Sequence, residues 1–352
     1  MARREALRSA IESSAQEIEV LRELAEKVIQ GDALHKDEAL SLSSVPQQHI
    51  ADLLGAASMI RTHFRGNSVD LCAIINAKSG ACPEDCTYCA QSSKNSAAAA
   101  VFPLVGKETI IEKAGEALQG GAKRFCIVTS GRKVSGRELR RIADAVSEVR
   151  ALGLLPCATL GLLSEAEIRQ LKASGLERYH HNLETSDRYF PMICSTHTYR
   201  DKMETIGAVR AAGVSLCCGG IFGLGETWQD RVDMAFALKE IAPDSVPLNF
   251  LTPIKGTSLG SQTLLEPFEA LKIIALFRFV LPDREIRVCG GRMPTLRDFH
   301  SFIFLAGADA LLTGNYLTTT GRRFEDDLEL IRMHGLTPDR EKHGQGEGKC
   351  SA

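Results

Sequence analysis

The sequence predicts an α/β protein built as a (βα)8 TIM-type barrel with added N-terminal helices, and three observations carry that expectation. From Val69 onward, short apolar runs alternate with amphipathic helical stretches, the pattern of βα units on a parallel sheet. Eight such runs can be counted, the number that closes a barrel. The first βα turn holds a cysteine run, not the glycine fingerprint that an open doubly wound sheet would place there.

Taken in order, residues from about Arg4 to Ile29 have helical spacing, with Leu7, Ile11, Ile18, Leu21, Leu24 and Ile29 on an imperfect apolar face. A second helical stretch runs from about Val45 to Arg65, with Ile50, Leu53, Leu54, Ala57 and Ile60 on one side. Neither carries a chemical signature, so residues 1–66 are expected to be a helical extension packed on the main domain. The expected strands are Asp70–Ile75, Arg124–Thr129, Leu155–Leu160, Arg178–Leu183, Val214–Gly219, Val246–Leu251, Ile286–Gly290 and Ala310–Thr313. Between them the expected helices include Thr109–Leu118, Gly136–Leu152, Glu165–Ser174, Tyr199–Ala212 and Trp228–Ile241. The barrel is placed at residues 67–338. The tail, 339–352, is polar with three glycines and no apolar face, and is expected to be disordered, with Cys350 a bystander thiol.

Composition narrows the classes. With 42 basic and 44 acidic side chains, the formal charge of -2 gives no whole-chain argument for nucleic acid or an anionic membrane. No segment approaches the about 20 apolar residues of a membrane span. The stretch Met1-Ala2-Arg3-Arg4-Glu5 leads into a charged helical pattern without the apolar core of a signal peptide. Eleven cysteines in 352 residues are an odd number and too sparse for a disulfide scaffold. A cytoplasmic, reducing compartment is expected, where free thiols serve as metal or redox groups.

The cysteine run is Gly80-Ala81-Cys82-Pro83-Glu84-Asp85-Cys86-Thr87-Tyr88-Cys89, a C-x3-C-x2-C spacing with no further cysteine or histidine close behind. A closed tetrahedral zinc wants four protein ligands. A four-iron cluster held by three thiolates keeps one iron open to a small molecule. On spacing alone, a zinc or a redox pair stays an alternative. Tyr88 would set an aromatic ring beside whatever occupies the open corner.

A second set of thiols, Cys126, Cys157 and Cys217, lies on three expected strands, with Arg287 on a later one. Free cysteine is also a common small core residue, so each alone can be read either way. Barrel strands bring sequence-distant side chains to one depth, so the four form a candidate ligand set. Strand alternation forbids Cys217 and Cys218 from both facing inward unless a bulge intervenes. Cys289 shares the face of Arg287, so Cys218 and Cys289 are both candidates for additional ligands. In 178–184, alternation puts His180, Asn182 and Glu184 on one face and Tyr179, His181 and Leu183 on the other. His181 is read as a core or surface histidine. In Gly219–Gly225 the glycines permit close backbone approach, which suits cofactor contact and tight turns equally.

These blocks together resemble the radical S-adenosylmethionine enzymes and, among them, the biotin synthase family. The resemblance rests on Asn76–Cys86, Tyr179–Ser186, Gly219–Thr227, Val246–Leu251 and Tyr316–Thr320, and spans nearly the whole barrel. It implies a [4Fe-4S] cluster on Cys82, Cys86 and Cys89, its open iron chelated by S-adenosyl-L-methionine. It implies an auxiliary [2Fe-2S] cluster on Cys126, Cys157, Cys217 and Arg287, the source of the sulfur inserted between C6 and C9 of dethiobiotin. Two departures, Cys218 and Cys289 where serine is usual, add a larger auxiliary cluster as a second possibility. Asn182 and Asn249 would hold the ureido ring of dethiobiotin, with His180 in place of an asparagine. Glu184, a longer version of the usual acid, would contact the cofactor ribose, and Tyr88, Ser130 and Gly225 would line the cofactor. The resemblance also implies a one-electron donor such as flavodoxin or ferredoxin and a homodimer. Two other readings stand beside it: a related radical enzyme on another small molecule, of hydrogenase-maturation or methylornithine type, and an iron–sulfur carrier or scaffold. The first would share the run at Cys82 but not the second thiol set with both asparagines. The second would need no asparagines inside a barrel.

Overall fold

In the computed structural model, which describes residues 18–315 and 321–339, eight parallel strand positions close into a barrel. The strands are β1 (Ser68–Lys78), β2 (Arg124–Thr129), β3 (Leu155–Thr159), β4 (Arg178–His180), β5 (Ser215–Cys217), β6 (Gly220–Phe222), β7 (Ser245–Phe250), β8 (Glu285–Val288) and β9 (Ala310–Leu312). β5 and β6 are one interrupted barrel strand, and both pair with β7. Closure comes from β9 on β1, with Asp70 opposite Ala310 and Cys72 opposite Leu312. A two-residue β10 (Thr337–Pro338) adds to the outer start of β1. The expected eight strands are all present; β1 is longer than expected at both ends, β2 has the expected bounds, and β4 ends three residues early, at His180.

Helices cover the barrel as the alternation required. They are α1 (18–29), α2 (Lys36–Ser41), α3 (Ile50–Arg65), α4 (Lys107–Gln119), α5 (Gly136–Ala151), α6 (Glu165–Ala173), α7 (Tyr199–Ala211) and α8 (Trp228–Ile241), then α9 (Pro267–Val280), α10 (Arg292–Leu296) and α11 (Phe324–Met333). Several starts are fixed by reciprocal caps: Ser135 with Glu138, Thr198 with Asp201, Thr227 with Asp230. The second N-terminal stretch begins as an α-helix at Ile50, not Val45, because Pro46 and a 3-10 turn at Gln47–His49 precede it. α9 has no polar face to give it a helical period. It is buried on nearly every side because α3 covers the surface that would otherwise meet water. The expected helix from Arg4 and the disordered tail with Cys350 fall wholly or partly on residues 1–17 and 340–352, and Tyr316–Thr320 on 316–320, all outside the described residues. Among the described residues no helix is long and apolar enough to cross a membrane.

The apolar core has two parts. The larger fills the space between strands and helices and contains Leu183, Leu216, Cys218, Phe222 and α9. The smaller lies inside the barrel and contains Cys72, Cys126, Val128, Cys157, Cys289 and Leu312.

Candidate active site

Because the strands are parallel, residue number rises from the floor of the barrel to its mouth, and inward side chains stack in layers. The floor is charged. Asp70 accepts from Arg124 Nε at 3.0 Å, and Glu285 accepts from Arg178 Nη1 at 2.9 Å. Arg287 joins the pairs, with Nη2 donating to Asp70 and Glu285 and Nη1 to the Leu311 carbonyl at 2.8 Å. Three guanidiniums thus face two carboxylates, a net charge of +1 buried at the base of the thiols. Burial alone would raise Glu285, but Arg287 and Arg178 outweigh it and hold its carboxyl well below the usual range. Burial also works against a charge on Arg287, and Glu285 and Asp70 more than restore it.

The thiol layer follows. Cys126 and Cys157 are direct strand partners, and both are free and buried. Cys217 is paired with His180 across β4 and β5 and is likewise fully buried. Cys72, which strand reading had left out, sits among them, its thiol donating to the Ala73 carbonyl at 3.6 Å. Cys289 packs in the same interior cluster. Cys218 does not: it turns to the outer core beside Leu183, as alternation after Cys217 requires, and is no candidate ligand for an interior group. Two buried nitrogens next to this layer, Arg287 Nε and His180 Nε2, have no hydrogen-bond partner among the described residues. Free thiols in this number, beside a net positive floor and unpaired nitrogens, fit an anionic thiolate-held cluster.

Above the thiols is a cavity of about 450 Å³. Cys126, Cys289 and Arg287 line its deep end, whereas Cys157 and Cys217 lie outside its wall. Its middle is lined by His180, Asn182, Asn249, Val128 and Ile221. Asn182 Oδ1 accepts from Gly219 N at 3.2 Å, and its Nδ2 lies 3.4 Å from Glu184 Oε2. Asn249 Nδ2 donates to the Gly220 carbonyl at 3.1 Å, and its Oδ1 accepts from Gly290 N at 3.0 Å. Each amide is therefore fixed by the barrel backbone while keeping a donor and an acceptor lone pair in hand. The glycines at this point serve close approach: a Cβ on Gly219 would lie 2.1 Å from the Pro247 carbonyl oxygen. Burial works against a charge on His180, yet Cys217 and Cys157 beside it lift its pKa to about 9. His181, read as core or surface, is buried and reaches the cavity wall, and burial pushes its pKa well down.

At the mouth, Glu184 lines the cavity from a backbone at φ +73°, a conformation that costs energy for a non-glycine residue and directs the chain out of β4. Burial raises its carboxyl. Ser130 donates to the Gly80 carbonyl at 2.8 Å and so ties the end of β2 to the start of the cysteine loop. Gly225 does not reach the cavity. Its φ is +107° and a Cβ there would meet the Tyr189 hydroxyl, so it is a turn residue, in a turn that Glu226 closes by accepting from Gly223 N and Leu224 N. That departs from the expected cofactor contact.

Cys82, Cys86, Cys89 and Tyr88 line the same mouth. All three thiols are free. Ligands on one tetrahedral ion lie about 3.8 Å apart when metal–sulfur bonds are about 2.3 Å. Cys82, Cys86 and Cys89 do not gather that closely, since among the described residues the set of three metal-capable groups within 4.8 Å of one another is Cys86, Cys194 and His197. A wider spread suits separate corners of a cluster better than one ion. The sequence reading found no further ligand near the run. Folding brings two, Cys194 and His197, from the loop before α7. Glu84, Arg132 and Lys202 also reach the mouth and were not singled out by spacing.

Residues 77–238 match the Radical SAM superfamily, and residues 247–337 match the Biotin and Thiamin Synthesis associated domain. The chain is 51% identical over 298 residues to a biotin synthase of Thermodesulfovibrio yellowstonii, covering 85% of this chain and 94% of that one. It is 48% identical over 315 residues to a biotin synthase of Pelotomaculum thermopropionicum, covering 89% and 98%. Among solved structures it resembles methylornithine synthase, with a TM-score of 0.78 at 22% identity over 90% of this chain and 97% of that one. It also resembles the FeFe-hydrogenase maturase of Carboxydothermus hydrogenoformans, with 0.76 at 16% identity over 95% and 82%. At those identities the two structures speak for a shared fold.

Proposed function

The chain belongs to the biotin synthase family of radical S-adenosylmethionine enzymes, and on that premise we propose that it makes biotin from dethiobiotin in the cavity just described. When bound, the [4Fe-4S] cluster supplies the electron that cleaves S-adenosyl-L-methionine to methionine and a 5′-deoxyadenosyl radical, and the auxiliary cluster supplies the sulfur that joins C6 to C9. The observation that carries the reading is the order of groups along one cavity. Three thiols stand at the mouth, two backbone-anchored asparagines in the middle, and a second thiol layer at the floor.

Each residue then has work to do. Cys82, Cys86 and Cys89 hold the first cluster, with Tyr88 beside it. Cys126, Cys157 and Cys217 would hold the auxiliary [2Fe-2S] cluster, with Arg287 completing the set; Cys72 and Cys289 are spare thiols within the same layer. The net positive floor offsets the charge of three thiolates. Asn182 and Asn249 present a donor and an acceptor each to the cyclic urea, and an analogue without that group would strand both amides. His180 Nε2, buried and unpaired, is placed to meet the ureido oxygen or the auxiliary cluster. Glu184 receives the ribose hydroxyls, and Ser130 holds the cofactor end of β2 in place. Val128, Ile221 and Leu312 make the wall apolar and keep water from the substrate. Holding the reacting carbon between the two ends of one cavity is the protein's main contribution.

The resemblance further supports a one-electron donor such as flavodoxin or ferredoxin, a homodimer, and a cytoplasmic setting. The test is anaerobic turnover of the cluster-loaded chain with dethiobiotin, S-adenosyl-L-methionine and a reductant, assayed for biotin and 5′-deoxyadenosine. Biotin formation is expected. Cofactor cleavage without biotin would assign the cavity to another small molecule, and no cleavage with both clusters intact would leave an electron carrier.

A further inference from the structure

Two loops meet at the mouth through more bonds than cluster binding needs. The segment 193–197 is stitched to the cysteine run on both sides of Cys86. On one side, Asp85 accepts from Ser195 N at 2.9 Å and Thr196 N at 3.1 Å, and Asp85 N donates to Thr196 Oγ1 at 3.1 Å. On the other, Thr87 N donates to the Ile193 carbonyl at 2.9 Å. The stitching sets Cys194 Sγ 3.9 Å from Cys86 Sγ and 3.8 Å from His197 Nε2. A tetrahedral ion with metal–sulfur bonds of about 2.3 Å and a metal–nitrogen bond of about 2.0 Å asks for separations of about 3.8 and 3.5 Å. Both distances fall close to these values. His197 Nδ1, which lies closer to Cys194 Sγ at 3.2 Å, is also bonded to the Glu84 carboxylate, an outer partner of the kind that orients a metal-bound imidazole and leaves Nε2 as the nitrogen for the ion. Cys194 and His197 are both buried, so neither is held there by exposure to solvent.

We infer that in the cluster-free chain Cys86, Cys194 and His197 form a site for one divalent soft cation, best Zn²⁺, which excludes the [4Fe-4S] cluster because both claim Cys86. Two thiols and one imidazole are a ligand set that zinc prefers, and a water can fill the fourth position. Both sulfurs bind as thiolates, any proton they carry going to solvent, and the three ligands and the ion then have no net charge. Zinc therefore competes with cluster assembly at the mouth without touching Cys82 or Cys89. The inference stands apart from the reaction proposed above, and turnover does not decide it.

The test uses the full-length chain, depleted of iron and reduced, titrated with Zn²⁺ against a chelating indicator. Barrel thiols will bind some zinc too, so the readout is the difference between variants. Wild type and Cys82→Ser are expected to hold one more tight equivalent than Cys194→Ser or His197→Gln. Glu84→Gln is expected to keep that equivalent with affinity lowered about 10–100-fold. Co²⁺ in place of zinc should give tetrahedral thiolate absorption that loses intensity in Cys194→Ser. In a second arm, the cluster-loaded chain is challenged with Zn²⁺, and cluster absorbance should decay several-fold more slowly in Cys194→Ser. An unchanged zinc count in both Cys194→Ser and His197→Gln would overturn the site. Loss of the same equivalent in Cys82→Ser would also overturn it, by placing the ion on the cluster thiols themselves.

Discussion

The charged barrel floor permits a prediction with a sign that simple counting of ion pairs would get wrong. Arg287 makes the most bonds, so its loss should be the worst on that count. The charge balance says otherwise. Replacing Arg287 with Met leaves Asp70 on Arg124 and Glu285 on Arg178, two intact pairs and a neutral floor. What is lost is the bond to the Leu311 carbonyl, about 1 kcal/mol, plus one of the two arginine contacts on each carboxylate, offset by removal of the floor's unbalanced buried charge, for a net of about 2 kcal/mol. Glu285→Gln removes one of two carboxylates and leaves Arg178 and Arg287 facing a neutral amide, so the floor carries +2. Breaking a buried pair in that way costs about 3–5 kcal/mol, because the stranded charges stay desolvated. In the iron-depleted chain, urea midpoints should therefore fall in the order wild type, Arg287→Met, Glu285→Gln. Loading the clusters should narrow the gap. Thiolate charge then offsets the +2 floor of Glu285→Gln, while Arg287→Met loses the cation nearest the auxiliary group and should retain less iron there. If Arg287→Met is the less stable variant without iron, the charge argument is wrong and the floor is held by contact number alone.

Other outcomes follow from single sites. Asn182→Ala and Asn249→Ala should each raise KM for dethiobiotin about 10–100-fold, the value of one or two stranded hydrogen bonds, while 5′-deoxyadenosine still forms without matching biotin; tight coupling in both variants would remove the asparagines from recognition. Gly219→Ala should destabilise the chain by about 1–3 kcal/mol, since its Cβ would lie 2.1 Å from a backbone oxygen that cannot step aside; thermal unfolding measures it. His300 supplies a pH effect. Its ring nitrogens face Arg292 Nη1 at 2.9 Å and Arg322 Nη1 at 3.0 Å, two donors, so burial and then the two guanidiniums lower its pKa to about 3. Unfolded, it protonates near 6.5, so unfolding takes up a proton between pH 6.5 and 3 and stability falls as pH falls through that window. Between pH 7 and 5.5, wild type should lose about 1 kcal/mol more than His300→Gln, and parallel pH curves for the two would contradict it.

How much of this was legible in the chain depends on which physical rule carried each residue. Strand alternation is a local rule, and wherever it governs the sequence reading holds. It sent Tyr179 to the outer core and allowed only one of Cys217 and Cys218 inside, but it stops with β4 at His180: beyond that point Asn182 and Glu184 line the cavity as expected, and so does His181 from the face opposite. The same rule could have found Cys72, two residues before Ile74 on the face that meets Cys126, and that thiol was within reach of the reading. Glycine is where local rules stop. Gly219, Gly220 and Gly225 look alike in sequence, yet two answer to neighbouring backbone from β7 and from Glu184 beyond β4, and the third to a tyrosine hydroxyl 36 residues away in the chain. Their roles are set by what approaches them. α9 failed for the opposite reason, since a helix covered on both faces has no polar side to mark its period. Cys194 and His197 mark the limit most clearly. A cysteine and a histidine three residues apart in a loop carry little meaning alone, and what gives them meaning is Asp85, which holds their backbone against Cys86 across 108 residues. A cluster loop read from its own spacing is therefore only half described, because the residues between its cysteines select which distant loop lies against it. Asp85→Ala tests that step directly. It removes the bonds to Ser195 and Thr196 and the contact from Cys194 Sγ at 3.2 Å while replacing no thiol, and should free the 193–197 loop enough that zinc is lost as fully as in Cys194→Ser. Retention of the extra zinc equivalent in Asp85→Ala would mean that the two loops find each other without it.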